Sequence, residues 1–175
     1  GMYTERDAPG PLNVYAQTKA NAEAAVLDLT PNSVVARLSL VMGLSVLGTG
    51  NSFLARLLDD LENGRPGKFL TNEIRTPLDV ITAGRALLEL AEIQFAGILH
   101  LAGSTRLSRF DMARQVAERL GHSPKLIHPV DLSAMPGRAP RPPDASLDNT
   151  LAKRLLGTPM RTLLDGLDLV LGKTK

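Results

Sequence analysis

An α/β fold built on a doubly wound parallel sheet is predicted by three features of the 175-residue sequence. Two short apolar runs, residues 33–42 (SVVARLSLVM) and 97–102 (GILHLA), lack the polar alternation of a half-exposed strand and read as strands covered on both faces. Longer stretches of helical period lie between and after them. Glycine and proline clusters separate the segments.

Residues 1–12 read as a loop, because Pro9, Gly10 and Pro11 stop any regular element. Asn13 is a good N-cap for a helix to about Leu29, ended by Thr30, Pro31 and Asn32. The strand at 33–42 follows, then a glycine-punctuated loop over 43–50. A helix over 51–64 keeps Leu54, Leu57, Leu58 and Leu61 at helical spacing, and Gly64 suits a left-handed cap. Residues 65–80 are irregular apart from extended pieces near 68–70 and 76–80. Thr82 is expected to cap a helix to about Ile93 with Ala83, Leu87, Leu90 and Ala91 on one face. Beyond the strand at 97–102, Ser108 and Asp111 form a capping-box-like pair. Met112, Val116, Ala117 and Leu120 line that helix and Gly121 ends it. A short strand at 125–128, a proline-rich loop at 135–145 and one or two small helices carrying Leu163, Leu164, Leu167 and Leu171 complete the pattern. Only about three strands are legible, fewer than a sheet covered on both faces normally has. The chain is therefore expected to be one α/β unit of a larger domain.

Composition narrows the function. Hydrophobic residues at 43% and charged residues at 22% match an ordinary globular domain. No apolar run approaches the roughly 20 residues a membrane helix needs, and no signal-peptide pattern is present. The absence of cysteine excludes disulfides and thiolate chemistry and agrees with a cytoplasmic setting. A net charge of +2 and 3% aromatics argue against a nucleic-acid partner, despite Arg138, Arg141, Lys153 and Arg154. His100, His122 and His128 lack ligand spacing, so no metal site is expected, and His100 reads as a core histidine.

The strongest chemical signal is residues 15–19 (YAQTK) on the first helix. Residues four apart share a helix face, which brings the Tyr15 phenol near the Lys19 ammonium. A neighbouring ammonium favours the phenolate and so makes a phenol usable in proton transfer, and the lysine can also hold a ribose hydroxyl. The same spacing also occurs in ordinary surface pairs.

The wider context resembles the extended short-chain dehydrogenase/reductase superfamily, within it the dTDP-4-dehydrorhamnose reductase-like, epimerase–dehydratase branch. The resemblance runs in order through residues 3–7 (YTERD), 9–15 (PGPLNVY), 36–43 (ARLSLVMG), 50–53 (GNSF), 75–80 (RTPLDV), 97–103 (GILHLAG) with 108–110 (SRF), and 141–148 (RPPDASLD). It implies the C-terminal part of a Rossmann-like domain with a small substrate-binding subdomain. It further implies NAD or NADP as cofactor and a nucleotide-sugar as substrate, in a reductase or epimerase reaction. Tyr15 would be the general acid/base, and Lys19 would support it and bind the nicotinamide ribose. Backbone around Leu38 and Ser39 would border the nicotinamide. Asn51, Phe53, Arg75 and Arg141 would face the substrate, arginine being suited to a diphosphate through its two parallel donors.

The family opens with a strand, a glycine-rich turn and a helix whose N-terminus takes the pyrophosphate. Only 14 residues precede Tyr15, and they do not carry it. Residues 48–53 (GTGNSF) place phenylalanine at the third glycine position and read as a helix-capping loop. The chain alone is thus expected to bind NAD(P) weakly. The alternative reading is a non-catalytic sugar-nucleotide-binding or regulatory subunit. An apolar surface where the remaining sheet would pack predicts self-association as a homodimer.

Overall fold

The computed structural model describes residues 1–44, 52–131 and 139–173. Helix α1, Val14–Leu29, is capped by Asn13, whose side chain accepts a hydrogen bond from the Ala16 N–H. It leads into β1, Val34–Leu38, which pairs in parallel with β6, Gly97–Leu101.

The run at 33–42 is not one fully covered strand. It breaks after Leu38, and β2, Val41–Met42, pairs instead with β5, Leu78–Asp79. At the break the Ser39 and Thr76 hydroxyls bond at 3.1 Å while the Leu40 carbonyl accepts the Leu78 N–H. Four residues of β1 are half-buried and Leu38 is exposed, because α1 lies against the strand without burying a single residue of its own.

Helix α2, Phe53–Glu62, begins at a Ser52 cap and buries Leu54, Leu57 and Leu61, as its spacing requires. Gly64 follows with φ +63°, in the left-handed region that favours glycine. The irregular stretch then contributes β3, Gly67–Leu70, and β4, Ile74–Arg75. Helix α3, Val80–Glu92, starts earlier than expected. Its cap is Asp79, whose Oδ1 accepts the Thr82 N–H at 2.7 Å, so Thr82 lies inside the helix. The buried face is Thr82, Ala83, Ala86 and Leu90; Leu87 and Ala91 are exposed, the start having rotated the inner face.

Between β6 and the next helix lies β7, Leu107–Ser108, antiparallel to β4. Helix α4, Arg109–Arg119, has the expected Ser108–Asp111 pair and buries Met112, Val116 and Ala117. Lys125 lies in a 3-10 turn, and the strand expected at 125–128 is β8, Ile127–Val130, paired with β3. Helices α5, Thr150–Leu155, and α6, Leu163–Val170, close the fold.

Two apolar clusters form the core. One joins α2, α4 and α6 through Leu54, Leu57, Met112, Val116, Leu163 and Leu167. The other joins α3, β6 and α5 through Ala86, Leu90, Leu99, Leu101 and Ala152. Each fully buried leucine stabilises by about 2 kcal/mol, so these clusters dominate the fold's stability.

Gly103 sits where three backbone segments meet. A Cβ there would stand 1.9 Å from the Pro77 carbonyl oxygen and 3.2 Å from that of Arg161. Backbone cannot yield as a flexible side chain does, so Gly103→Ala is expected to destabilise by about 3 kcal/mol. Gly84, inside α3 with open space around it, gives the opposite sign. Gly84→Ala is expected to stabilise by about 0.5–1 kcal/mol. Chemical denaturation of both variants checks the pair.

Candidate active site

Polar tethers fix α1 where packing does not. At its start the Asn13 Nδ2 donates to the Pro140 carbonyl at 2.8 Å, tying the proline-rich loop to the helix. Further along, Arg37 on β1 grips Glu23 with Nε at 3.1 Å from Oε1 and Nη2 at 2.7 Å from Oε2. The Arg37 Nη1 meets His100 Nε2 at 3.3 Å, and His100 Nδ1 lies 3.0 Å from the Tyr3 carbonyl. A carbonyl only accepts, so Nδ1 carries the proton and Nε2 receives the arginine N–H. His100 is 0% exposed and neutral in this arrangement. Burial pushes its pKa below the ordinary 6.5; Glu5 opposes that and Arg37 reinforces it.

Tyr15, Lys19 and Glu23 stand at intervals of four on one face of α1. The Lys19 Nζ lies over the Tyr15 ring, 5.6 Å from its centroid. Tyr15 is 72% exposed, and both side chains line a cavity of about 680 Å³. Leu38 and Ser39 also line it. Just past β1, the Ser39 N–H donates to the Leu101 carbonyl at 3.0 Å and the Ser39 and Thr76 hydroxyls bond each other at 3.1 Å.

Another part of the lining is built from arginines. Arg75 donates through Nη1 to the Ile74 and Pro142 carbonyls at 2.6 and 3.3 Å, and through Nη2 to Glu73 Oε1 at 3.3 Å. Arg109 reaches the same Glu73 oxygen through Nε at 3.4 Å and lies 5.0 Å over the Phe53 ring. Glu73 is only 4% exposed. Burial lowers the pKa of both Arg75 and Arg109 while Glu73 raises it, and each guanidinium stays charged at neutral pH. Arg141 lines the same cavity.

The structure therefore gathers Tyr15, Lys19, Leu38, Ser39, Arg75 and Arg141 around one cavity. Phe53 reaches it through Arg109, its ring also meeting Phe69 edge-on at 6.1 Å. Asn51 lies outside the described residues. Glu23, Arg37, Glu73 and Arg109 are not among the site residues expected from the sequence. Glu23 was within reach of pattern reading, since it continues the Tyr15–Lys19 spacing by one more turn. His100 is the expected satisfied core histidine, yet it also borders the cavity. Among the described residues no cluster of acids and histidines could hold a metal. Among them, too, no helix is long and apolar enough to cross a membrane.

With this geometry in hand, comparison with known families is decisive. The model of the RmlD substrate binding domain matches residues 1–175. The chain belongs to that family. Among RmlD-type relatives, the dTDP-4-dehydrorhamnose reductase of Mycolicibacterium smegmatis is 30% identical over 98% of this chain and 53% of its own length. The mouse methionine adenosyltransferase 2 subunit beta is 28% identical over 91% of this chain and 50% of its own. A dTDP-4-dehydrorhamnose reductase from Bacillus anthracis, solved with NADP, superposes with a TM-score of 0.86 at 20% identity, over 98% of this chain and 59% of that one. The RmlD-type fold is thereby shown, and the chain spans about half the length of the curated relatives it matches.

The His100 arrangement gives a pH dependence of definite sign. The unfolded chain takes up the proton first, so the stability due to neutral His100 is full above pH 6.5 and is lost as pH falls below it. An NMR titration should place the His100 imidazole below 6.5, and His100→Gln should flatten the acid limb of the stability curve. A midpoint at or above the ordinary value would contradict burial as the dominant influence on the ring.

Proposed function

We propose that the chain is the substrate-side part of an NAD(P)-dependent reductase or epimerase acting on a nucleotide-linked sugar. The observation that carries this reading is the Tyr15–Lys19 pair on one helix face, opening into a 680 Å³ cavity that also presents Arg75 and Arg141. Family membership supports it, as do the activities named for the relatives.

The residues present fit the nicotinamide-ribose end of the cofactor. Lys19 would donate to ribose hydroxyls, and Leu38 and Ser39 would border the ring along the end of β1 and the residue after it. The bound dinucleotide supplies the hydride. Tyr15 would give its phenolic proton to the developing alkoxide in the reducing direction and recover it from solvent. Lys19 Nζ, 5.6 Å from the Tyr15 ring centroid, would hold the phenol in place through a cation–π contact. Arg75 and Arg141 would bind the diphosphate linking sugar and nucleoside, which orients the sugar carbon without taking part in the chemistry.

The cofactor's phosphates would fall to a glycine-rich half that completes the sheet beside β1. Val14 and Leu29, 81% and 79% exposed on α1, supply apolar surface of the kind such a half would cover. In the isolated chain the same surface favours self-association, and we place the protein in the cytoplasm.

A second reading is favoured by the methionine adenosyltransferase relative, which its name makes a subunit. Here the cavity would bind a nucleotide-sugar without turnover.

Tyr15→Phe separates the two readings. In a protein that also carries the phosphate-binding half, it should lower kcat by at least a hundredfold and leave nucleotide-sugar affinity within about threefold. No turnover in either form would favour the binding subunit, and turnover unchanged by the substitution would remove Tyr15 from the reaction.

A further inference from the structure

Of the four arginines that line the cavity, Arg37 is held by Glu23, while the single carboxylate of Glu73 bridges Arg75 and Arg109 and Arg141 stands in the same lining. Among the described residues no acidic group pairs with Arg141, so this part of the cavity is left with two positive charges beyond what Glu73 balances. Arg75 spends its donors on the Ile74 and Pro142 carbonyls and on Glu73. Arg109 differs: among the described residues only its Nε is engaged, and its buried Nη1 has no hydrogen-bond partner. An arginine kept only for packing would have its fork satisfied by the protein. The Arg109 side chain is itself 19% exposed. Its placement over Phe53 holds the guanidinium plane at the cavity wall.

We propose that Arg109 is a ligand-contacting residue that, with Arg75 and Arg141, makes the cavity select two adjacent phosphoryl groups over one. The inference rests on the nucleotide-sugar reading above and adds the residue that sets its anion preference. Two phosphoryl groups occur both in a nucleotide-sugar and in the dinucleotide cofactor. The substrate's diphosphate is the one meant, because β4, α4 and the proline-rich loop supply the guanidiniums and none of them carries a residue assigned to the dinucleotide.

The test is calorimetric titration of the 175-residue chain with thymidine 5′-diphosphate, thymidine 5′-monophosphate and NADP. Arg109→Met keeps side-chain length and the Phe53 contact; Arg109→Lys keeps the charge and loses the fork. The wild-type chain should prefer the diphosphate over the monophosphate. Arg109→Met should shrink that preference at least tenfold with NADP affinity unchanged, and Arg109→Lys should restore part of it. Circular dichroism confirms that each variant is folded, and the lysine variant alone carries the test if the methionine variant is not. A diphosphate preference untouched by either variant overturns the inference and leaves the nucleotide-sugar reading standing. A loss confined to NADP, or equal for all three ligands, also overturns it. A wild-type chain that binds neither thymidine nucleotide at millimolar concentration overturns that reading and the inference together.

Discussion

The bidentate pair between Glu23 and Arg37 governs how the rest of the site can work. Helix α1 carries Tyr15 and Lys19 yet buries none of its residues, so apolar burial cannot fix its orientation. The fixing falls to hydrogen bonds with strict geometry, at Asn13 near one end and Glu23 further along. An exposed ion pair contributes about 0–1 kcal/mol and would be a poor anchor. This pair is half-buried, doubly bonded and backed by His100, and charge-assisted bidentate contacts are both stronger and more directional. Because Tyr15, Lys19 and Glu23 share one face, gripping Glu23 sets the rotation of the helix about its axis. Rotation is the variable that decides whether the phenol faces the cavity.

The cavity's charges are divided in a way that burial alone would not select. Near α1 each buried charge is matched: Glu23 by Arg37, and Arg37 by a neutral imidazole acceptor. Around Glu73 the match is incomplete, with two half-buried guanidiniums sharing one carboxylate oxygen at 3.3 and 3.4 Å. Contacts that long recover little of the cost of taking the ions out of water, and a buried ion pair is weak evidence for stability. Stability alone therefore does not account for this pair of arginines.

What could be read from the sequence was local. The caps at Asn13, Ser52 and Ser108, and the leucine spacing of α2, depend on residues within a few positions of each other. The strands β2, β4, β5 and β7 are two residues long, and a two-residue strand has no period to detect. The α3 start is ambiguous in the sequence for a related reason: Asp79 and Thr82 are both good capping residues, and only the backbone decides which one accepts the bond. In the site, Tyr15 and Lys19 were legible because their partnership lies within one helical turn. Glu73 and Arg109 were not, since they meet across 36 residues through the pairing of β4 with β7. No composition or spacing rule reaches that far.

The two groups of side chains around the cavity are therefore held by different physics. Arg109 opens α4, whose Met112 and Val116 are fully buried, and Phe53 opens α2, whose Leu54 and Leu57 are fully buried in the same cluster. Arg109, proposed above as a ligand contact, is thereby fastened to the apolar core and inherits its rigidity. Tyr15 and Lys19 stand on a helix held by a few hydrogen bonds and free to shift by small amounts when those bonds lengthen. Damage to the core would reach the arginines before the phenol. Loss of Glu23 or Asn13 would do the reverse, leaving the guanidiniums in place but the Tyr15 phenol turned out of line. That separation would let the proposed binding and proton-transfer roles fail independently, although both groups of side chains line one cavity.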